Sequence, residues 1–252
     1  MRYLRHVSVV WPPRFPHVPG IDAAGEVIRS KTDSFKPGEK VLVTGFDLGM
    51  NTWGGFGGYI SIPADWALPL PANMTEKEAM IFGTAGLAAG LSVQQLLLSG
   101  VQPDAGKVLV SGASVGVGSI AVAILDKMGY RVTAITGRPD PDHLMIILGA
   151  AELMNRNDFT STFAAEPLAA AKYAGGIDCV GGEVLSGMLK STMYGGAVTT
   201  CGMVALSELK FHRVVSYRSY IKGSYQGIQD RCIIPAKPGY GRYGNGCGLC
   251  CG

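Results

Sequence analysis

Residues 107–128 read KVLVSGASVGVGSIAVAILDKM, and no other stretch of this chain narrows its folding options as far. A β-branched apolar run breaks into small residues from Ser111 to Gly118 and resumes as an apolar segment of helical length through Met128. Strand, tight turn and helix in that order aim backbone N–H groups and a helix N-terminus at one point, where a phosphate is the natural guest. The stretch is a candidate dinucleotide-binding turn. Because Gly112, Gly116 and Gly118 do not follow plain GxGxxG spacing, the letters alone leave other turns open, including an αβ turn with no ligand.

The following strand separates the cofactors. After the apolar run Arg131 to Ile135, an NAD site would place a carboxylate for the ribose hydroxyls, and this chain has Thr136, Gly137 and Arg138 instead. A hydroxyl and a guanidinium at that point suit a 2′-phosphate through charge-assisted hydrogen bonds, so the expected cofactor is NADPH. The plainer alternative is a solvated arginine after a strand.

From Lys107 onward the pattern alternates: strands are expected at 107–111, 131–135, 152–154, 177–180 and 197–201. Helices fall between them at 116–128, 141–148, 164–173 and 185–193. Regular β and α alternation with short turns makes an α/β, doubly wound parallel sheet, whose ligand lies at the carboxyl ends of the strands. The preceding part is mostly β, with strands expected at 41–44, 59–62 and 66–68 and a glycine-rich loop over 45–58 that holds Asn51 and Trp53. A helical section opens at Glu76 and continues through Gly83 and Thr84 to Ser99.

With 252 residues and 47% hydrophobic content there is material for one large or two ordinary domains. The net charge of +3 is small and scattered, which argues against nucleic acid and for small-molecule partners. No uninterrupted apolar run reaches the length of a membrane span and no signal-peptide core follows Met1 to Arg5, so a cytoplasmic location is expected. Cys179 and Cys201 sit in strand-like runs and read as inert buried thiols. Cys247, Cys250 and Cys251 crowd the end without completing a tetrahedral set, so no metal site is expected.

Several stretches together resemble one family: FPHVPGIDAAGEV, GEKVLVTGFDLGMNTWGGFGGYISIPADWALPLP, AMIFGTAGLAA, VLVSGASVGVGSIAVAILDKMGYRVTAITGR, LGAAELMNRNDF, GGIDCVGGEVL and YGGAVTTCG. They resemble the zinc-independent medium-chain dehydrogenase/reductases, in the quinone oxidoreductase branch and its acrylyl-CoA reductase group. The resemblance implies a Rossmann sheet plus an incomplete GroES-like β domain, divided as 1–74 (β domain), 75–222 (NADPH-binding domain) and 223–252 (a divergent tail). It also implies NADPH-dependent reduction of the activated double bond of an enoyl thioester, acrylyl-CoA to propanoyl-CoA, or alternatively of a quinone, with no metal ion.

Carried over by position, the resemblance puts the pyrophosphate on Gly112, Ser114, Val115, Gly116 and Val117, and the 2′-phosphate on Thr136, Gly137 and Arg138. Arg156 approaches the adenosine end, Thr84 and Met203 flank the nicotinamide, and Asn51 with Trp53 line the substrate cleft. No catalytic residue is assigned, and a homodimer is left open. The match fades over Met1 to Arg14 and after about His212, where a disrupted reading frame would explain the tail. NADPH binding without efficient turnover is the expectation that follows.

Two other enzyme classes compete for the same letters. A short-chain dehydrogenase needs Tyr-x-x-x-Lys, and no tyrosine here has lysine four positions on. In a serine hydrolase, GASVG would be the nucleophile elbow at Ser114, with Asp178 and His212 as partners and Gly54 and Gly55 as an oxyanion turn. That leaves Gly118 and Thr136 to Arg138 without a role.

Overall fold

A computed structural model describes residues 16–138, 147–163, 169–202, 219–224 and 231–234. Two sheets organise them. In the smaller, β1 (Asp22–Glu26), β2 (Lys40–Thr44) and β3 (Leu68–Pro69) pair antiparallel in that order. The strand expected at 59–62 is irregular, and the one at 66–68 is split into a single 3-10 turn, Ala64–Trp66, followed by the two-residue β3. Pro63 and Pro69 explain this, because proline has no N–H to give to a ladder and confines strands to short edges.

The larger sheet contains β4 (Lys107–Ser111), β5 (Arg131–Thr136), β6 (Glu152–Asn155), β7 (Tyr173–Asp178), β8 (Thr192–Thr200), β9 (Ser219–Ser224) and β10 (Arg231–Ile234). Their order is β10-β9-β8-β7-β4-β5-β6, with only β10 antiparallel to its neighbour. The chain therefore winds outward from β4 in one direction, returns at β7 and winds outward in the other. That reversal leaves a crevice above the carboxyl ends of β4 and β7. The sheet also runs past the boundary expected at residue 222, which falls inside β9, and β10 adds an edge strand from the segment expected to be a tail.

Alternation along each strand covers both faces. Val108 and Val110 of β4 point to one core, shared with Ala121, Val122 and Leu125 of α2 (Gly116–Lys127) and with Ala89, Val93 and Leu96 of α1 (Glu76–Leu98). Leu109 points to the other, against Phe159 and Phe163 of α3 (Arg156–Phe163) and Met188 and Leu189 of α4 (Gly182–Ser191).

Three segments differ from expectation. The helix expected at 164–173 lies instead at α3, ending at Phe163, with 164–168 outside the described residues. Most of the helix expected at 141–148 is likewise outside them, although 147 and 148 are helical. Strand β7 begins at Tyr173 rather than 177, because Gly175 and Gly176, which look like turn residues, are strand residues. A Cβ on Gly176 would stand 2.6 Å from Met188 Cε and 2.9 Å from the Leu109 carbonyl oxygen, so bare backbone here is what lets α4 lie close on the sheet.

Helix α1 corrects a further expectation, since Glu76–Leu98 is long and apolar enough by composition to cross a membrane. It is broken, however, at Gly83, whose φ of 46° and ψ of −148° leave the helical region in a way that glycine tolerates. Past the break, Ala89, Val93 and Leu96 pack into the sheet's core. The helix starts in a capping box: Thr75 Oγ1 accepts from the Glu78 N–H at 3.2 Å, and the Glu78 carboxylate accepts from the Thr75 N–H at 2.8 Å.

Replacing Thr75 by alanine removes one half of that box. The expected loss is about 1 kcal/mol of unfolding free energy, read from the midpoint of urea denaturation; an unshifted midpoint would show that the box contributes nothing.

Candidate functional site

At the end of β4 the chain turns through Gly112, Ala113, Ser114 and Val115 into α2, and this turn sits at the crevice where the sheet order reverses. The turn and the helix are pressed together at one point: a Cβ on Gly118 would run into the Gly112 carbonyl, and one on Gly116 would stand 3.3 Å from the Ala85 Cβ of α1. Val115, at the N-cap, has no side-chain hydrogen bond to the helix, so the first N–H groups of α2 have no side-chain cap. Val115 and Gly116 are exposed. Partly unsatisfied amides, a helix N-terminus and bare backbone together form a cradle for an anion of pyrophosphate size.

The second strand end carries the polar group. Thr136 closes β5, and its Oγ1 lies 2.8 Å from the Ser114 Oγ and accepts from the Arg138 N–H at 3.2 Å. The turn after β4 and the turn after β5 are thus joined by one hydroxyl pair. Beyond it, the Arg156 guanidinium at the start of α3 lies over Gly137, where a Cβ would stand 3.1 Å from its Cζ. Arg138 and Arg156 are both exposed, and neither forms an ion pair among the described residues. Two guanidiniums flanking a glycine at the tip of the second strand make a cationic edge beside the cradle.

Beneath the cradle lies a network that the sequence did not disclose. Ser111 Oγ donates to Asp178 Oδ1 at 2.6 Å, linking the ends of β4 and β7, and accepts from the Cys179 N–H at 2.9 Å. The same carboxylate accepts from the N–H groups of Val180 and Gly181 and from Thr200 Oγ1 of β8. Asp178 is fully buried, and burial pushes its carboxyl above the usual carboxylate range while the Ser111 hydroxyl and the two backbone N–H groups pull the other way. These bonds commit Asp178 to holding three strands together. Ser114 faces Thr136 instead, and His212 lies outside the described residues, so no hydrolase triad is assembled among the described residues.

Thr84 follows the break in α1, and its Oγ1 donates to Asp22 Oδ1 of β1 at 2.6 Å. That bond ties the small sheet to the helix that packs on the large one. Asn51 and Trp53 lie on the loop over 45–58, whose backbone is pinned to the strand approach: Gly54 N donates to Val18 O at 2.7 Å, and Phe56 N to Pro19 O at 3.0 Å. Both side chains are exposed, with Asn51 Nδ2 donating to Asp47 Oδ1 at 3.1 Å. Met203 lies outside the described residues. A separate cavity, lined in part by Lys107, Arg131 and Lys172, opens at the amino ends of the strands, opposite the cradle.

Comparison with known proteins fits this geometry. Residues 3–72 match the family model described as alcohol dehydrogenase GroES-like domain, and residues 116–232 the one described as zinc-binding dehydrogenase. The chain is 43% identical over 190 residues to the acrylyl-CoA reductase AcuI of Ruegeria pomeroyi, covering 75% of this chain and 57% of that protein. It is 42% identical over 196 residues to the putative quinone oxidoreductase YhfP of Bacillus subtilis, covering 77% and 59%. A solved structure of yhfP has NAD bound. The yhdH oxidoreductase of Salmonella enterica, solved in complex with NADP, superposes with a TM-score of 0.79 at 39% identity over 83% of this chain and 64% of that one. The chain thus spans 57–59% of the length of these two curated relatives. As for the metal in the second model's description, no group of three or more His, Cys, Asp or Glu side chains among the described residues converges to hold one.

Two outcomes follow from this geometry. Gly118→Ala has no room for its methyl group, so it lowers stability by about 1–3 kcal/mol, seen as a reduced midpoint in thermal or denaturant unfolding; a fully stable variant would mean that turn and helix are not in contact. For Asp178, whose carboxyl is raised in the folded state, the stability it contributes is complete below the unfolded value and is lost as pH rises through the folded one. The difference in unfolding free energy between wild type and Asp178→Asn therefore shrinks as pH rises from about 4 toward neutrality. A difference that grows over the same range would contradict the assignment.

Proposed function

The chain belongs to the medium-chain dehydrogenase/reductase family, in the branch that holds quinone oxidoreductases and acrylyl-CoA reductases, and on that footing we propose that it binds NADPH and reduces the activated double bond of a small enoyl thioester. The observation that carries the cofactor half of this reading is the pairing of an anion cradle at β4–α2 with the Arg138 and Arg156 edge after β5 and β6. When bound, NADPH supplies a hydride.

The protein's own residues would do the rest by position and charge. The backbone from Gly112 through Ser114, Val115, Gly116 and Val117 receives the pyrophosphate, whose charge the exposed amides at the start of α2 offset. Thr136, held by Ser114, the Gly137 backbone and the two guanidiniums would receive a 2′-phosphate. Charge-assisted hydrogen bonds from Arg138 and Arg156 there would favour NADPH over NADH, whose ribose offers no charge to answer them. Thr84, fixed by Asp22, borders the nicotinamide end. Asn51 and Trp53 border the acyl substrate, and donors on the thioester oxygen would offset enolate charge as the β-carbon receives hydride. Similarity to AcuI favours the enoyl thioester, and similarity to YhfP keeps a quinone as the second acceptor.

Titration of NADPH and NADH by nucleotide fluorescence tests the cofactor assignment. Arg138→Ala is expected to weaken NADPH binding about 10- to 100-fold while leaving NADH nearly unchanged. Equal losses for both nucleotides would remove Arg138 from the 2′-phosphate. The acceptor is tested by following NADPH oxidation with acrylyl-CoA and with a soluble benzoquinone side by side; faster oxidation with the quinone would reverse the order of the two readings.

A further inference from the structure

Two thiols lie under the cradle, and the reaction proposed above uses neither. Cys179 and Cys201 follow directly after β7 and β8, which are parallel neighbours in register at Asp178 and Thr200. The Cys201 N–H donates to the Asp178 carbonyl at 2.9 Å, continuing that register one step further. Residues at one level on adjacent parallel strands point to the same face, and their Sγ atoms stand 3.7 Å apart. Neighbouring strands are separated by about 4.8 Å, within the Cα range of about 4.4–6.8 Å that a disulfide spans. Cys179 is buried but Cys201 is only half-buried, which corrects the expectation of two inert thiols.

Their surroundings differ in a way that sets the order of reaction. The Cys179 thiol beside it, helped by the Ser92 hydroxyl of α1, holds Cys201 below the ordinary thiol range. Cys179 is pushed well up by its bond to Cys201 and by burial. The more accessible sulfur is thus also the more readily ionised one.

We propose that Cys179 and Cys201 form a reversible disulfide under peroxide, and that this bond loosens the hold of the cradle on its nucleotide. In the first step the Cys201 thiolate attacks one oxygen of hydrogen peroxide; the O–O bond breaks, Cys201 becomes a sulfenic acid, and hydroxide leaves as water after taking a proton. In the second, the Cys179 sulfur attacks the Cys201 sulfur; the S–O bond breaks, the disulfide forms, and the Cys179 proton leaves with the hydroxyl as a second water. Two thiols have lost two electrons, and one peroxide has gained them.

The link to the cradle is direct. The Cys179 N–H is bonded to Ser111 Oγ, and a Cβ on Gly112 would stand 3.4 Å from the Cys179 Cβ. Closing the sulfurs from 3.7 Å to bonding distance turns the Cys179 side chain, which lies against Gly112 at the floor of the turn. The effect on nucleotide affinity rests on the NADPH reading above, whereas formation of the bond does not.

The test uses the full chain with Cys232, Cys247, Cys250 and Cys251 each replaced by serine, so that only this pair can close. After brief treatment with hydrogen peroxide, non-reducing peptide mapping by mass spectrometry should find a Cys179–Cys201 cross-linked peptide, reversed by dithiothreitol. NADPH affinity, followed by fluorescence, should fall about tenfold on oxidation and recover on reduction. In Cys179→Ala or Cys201→Ala versions the nucleotide affinity should not respond to peroxide. Absence of the cross-link overturns the proposal, and so does a cross-linked protein that binds NADPH as tightly as the reduced one. If the reduced protein fails to bind NADPH, the cofactor assignment falls together with the coupling, while the cross-link is still decided by the peptide map.

Discussion

The carboxylate of Asp178 is the constraint on which the site is built. It takes hydrogen bonds from Ser111 at the end of β4, from the backbone of Val180 and Gly181 leading into α4, and from Thr200 at the end of β8. Placing a carboxylate in a dry interior is costly unless its lone pairs are satisfied, and here hydroxyls from two strands and amides of the turn after β7 accompany it. The arrangement works in both directions. The donors make the buried acid tolerable, and the acid fixes the relative heights of the strand ends that support the cradle.

Upon that support the cradle depends on small side chains being absent. Gly118 lets α2 start almost in contact with the Gly112 carbonyl, and Gly137 lets the Arg156 guanidinium lie flat against the backbone. A single added methyl group at either place would push apart what must be close. Positive charge then enters from two different strand ends, Arg138 after β5 and Arg156 after β6, and the Ser114–Thr136 hydroxyl pair holds the two turns at a common level. Binding and orientation thus come from strand geometry, and charge from side chains that ride on it.

The smaller sheet reaches this arrangement through the Thr84–Asp22 bond, the Lys40–Glu76 ion pair and one distorted glycine. Thr84 donates to Asp22, and an oxygen of the same carboxylate lies 2.8 Å from where a Cβ on Gly83 would stand, so the bare glycine at the break in α1 lets β1 approach the helix. An unbroken helix of that length and apolar character would have had no such notch. Its second half instead packs its buried face into the core of the large sheet.

Much of this was legible in the residues. The apolar run, small-residue turn and apolar helix over 107–128 specify strand, turn and helix by local preference and period, and they fold as read. Thr136, Gly137 and Arg138 declare a charged strand end for the same local reason. Gly175 and Gly176 misled because glycine suggests a turn to any local rule, whereas here the demand for bare backbone comes from Met188 and Leu109, distant in sequence. The network on Asp178, the contact of Arg156 with Gly137, the Thr84–Asp22 bond and the nearness of Cys179 to Cys201 were decided only by the tertiary structure. Apart from the amides that directly follow Asp178, each joins groups about 20 to 70 residues apart in sequence. Periodicity reports which face of an element is apolar, but strand order and register determine which polar atoms meet at the end of a sheet.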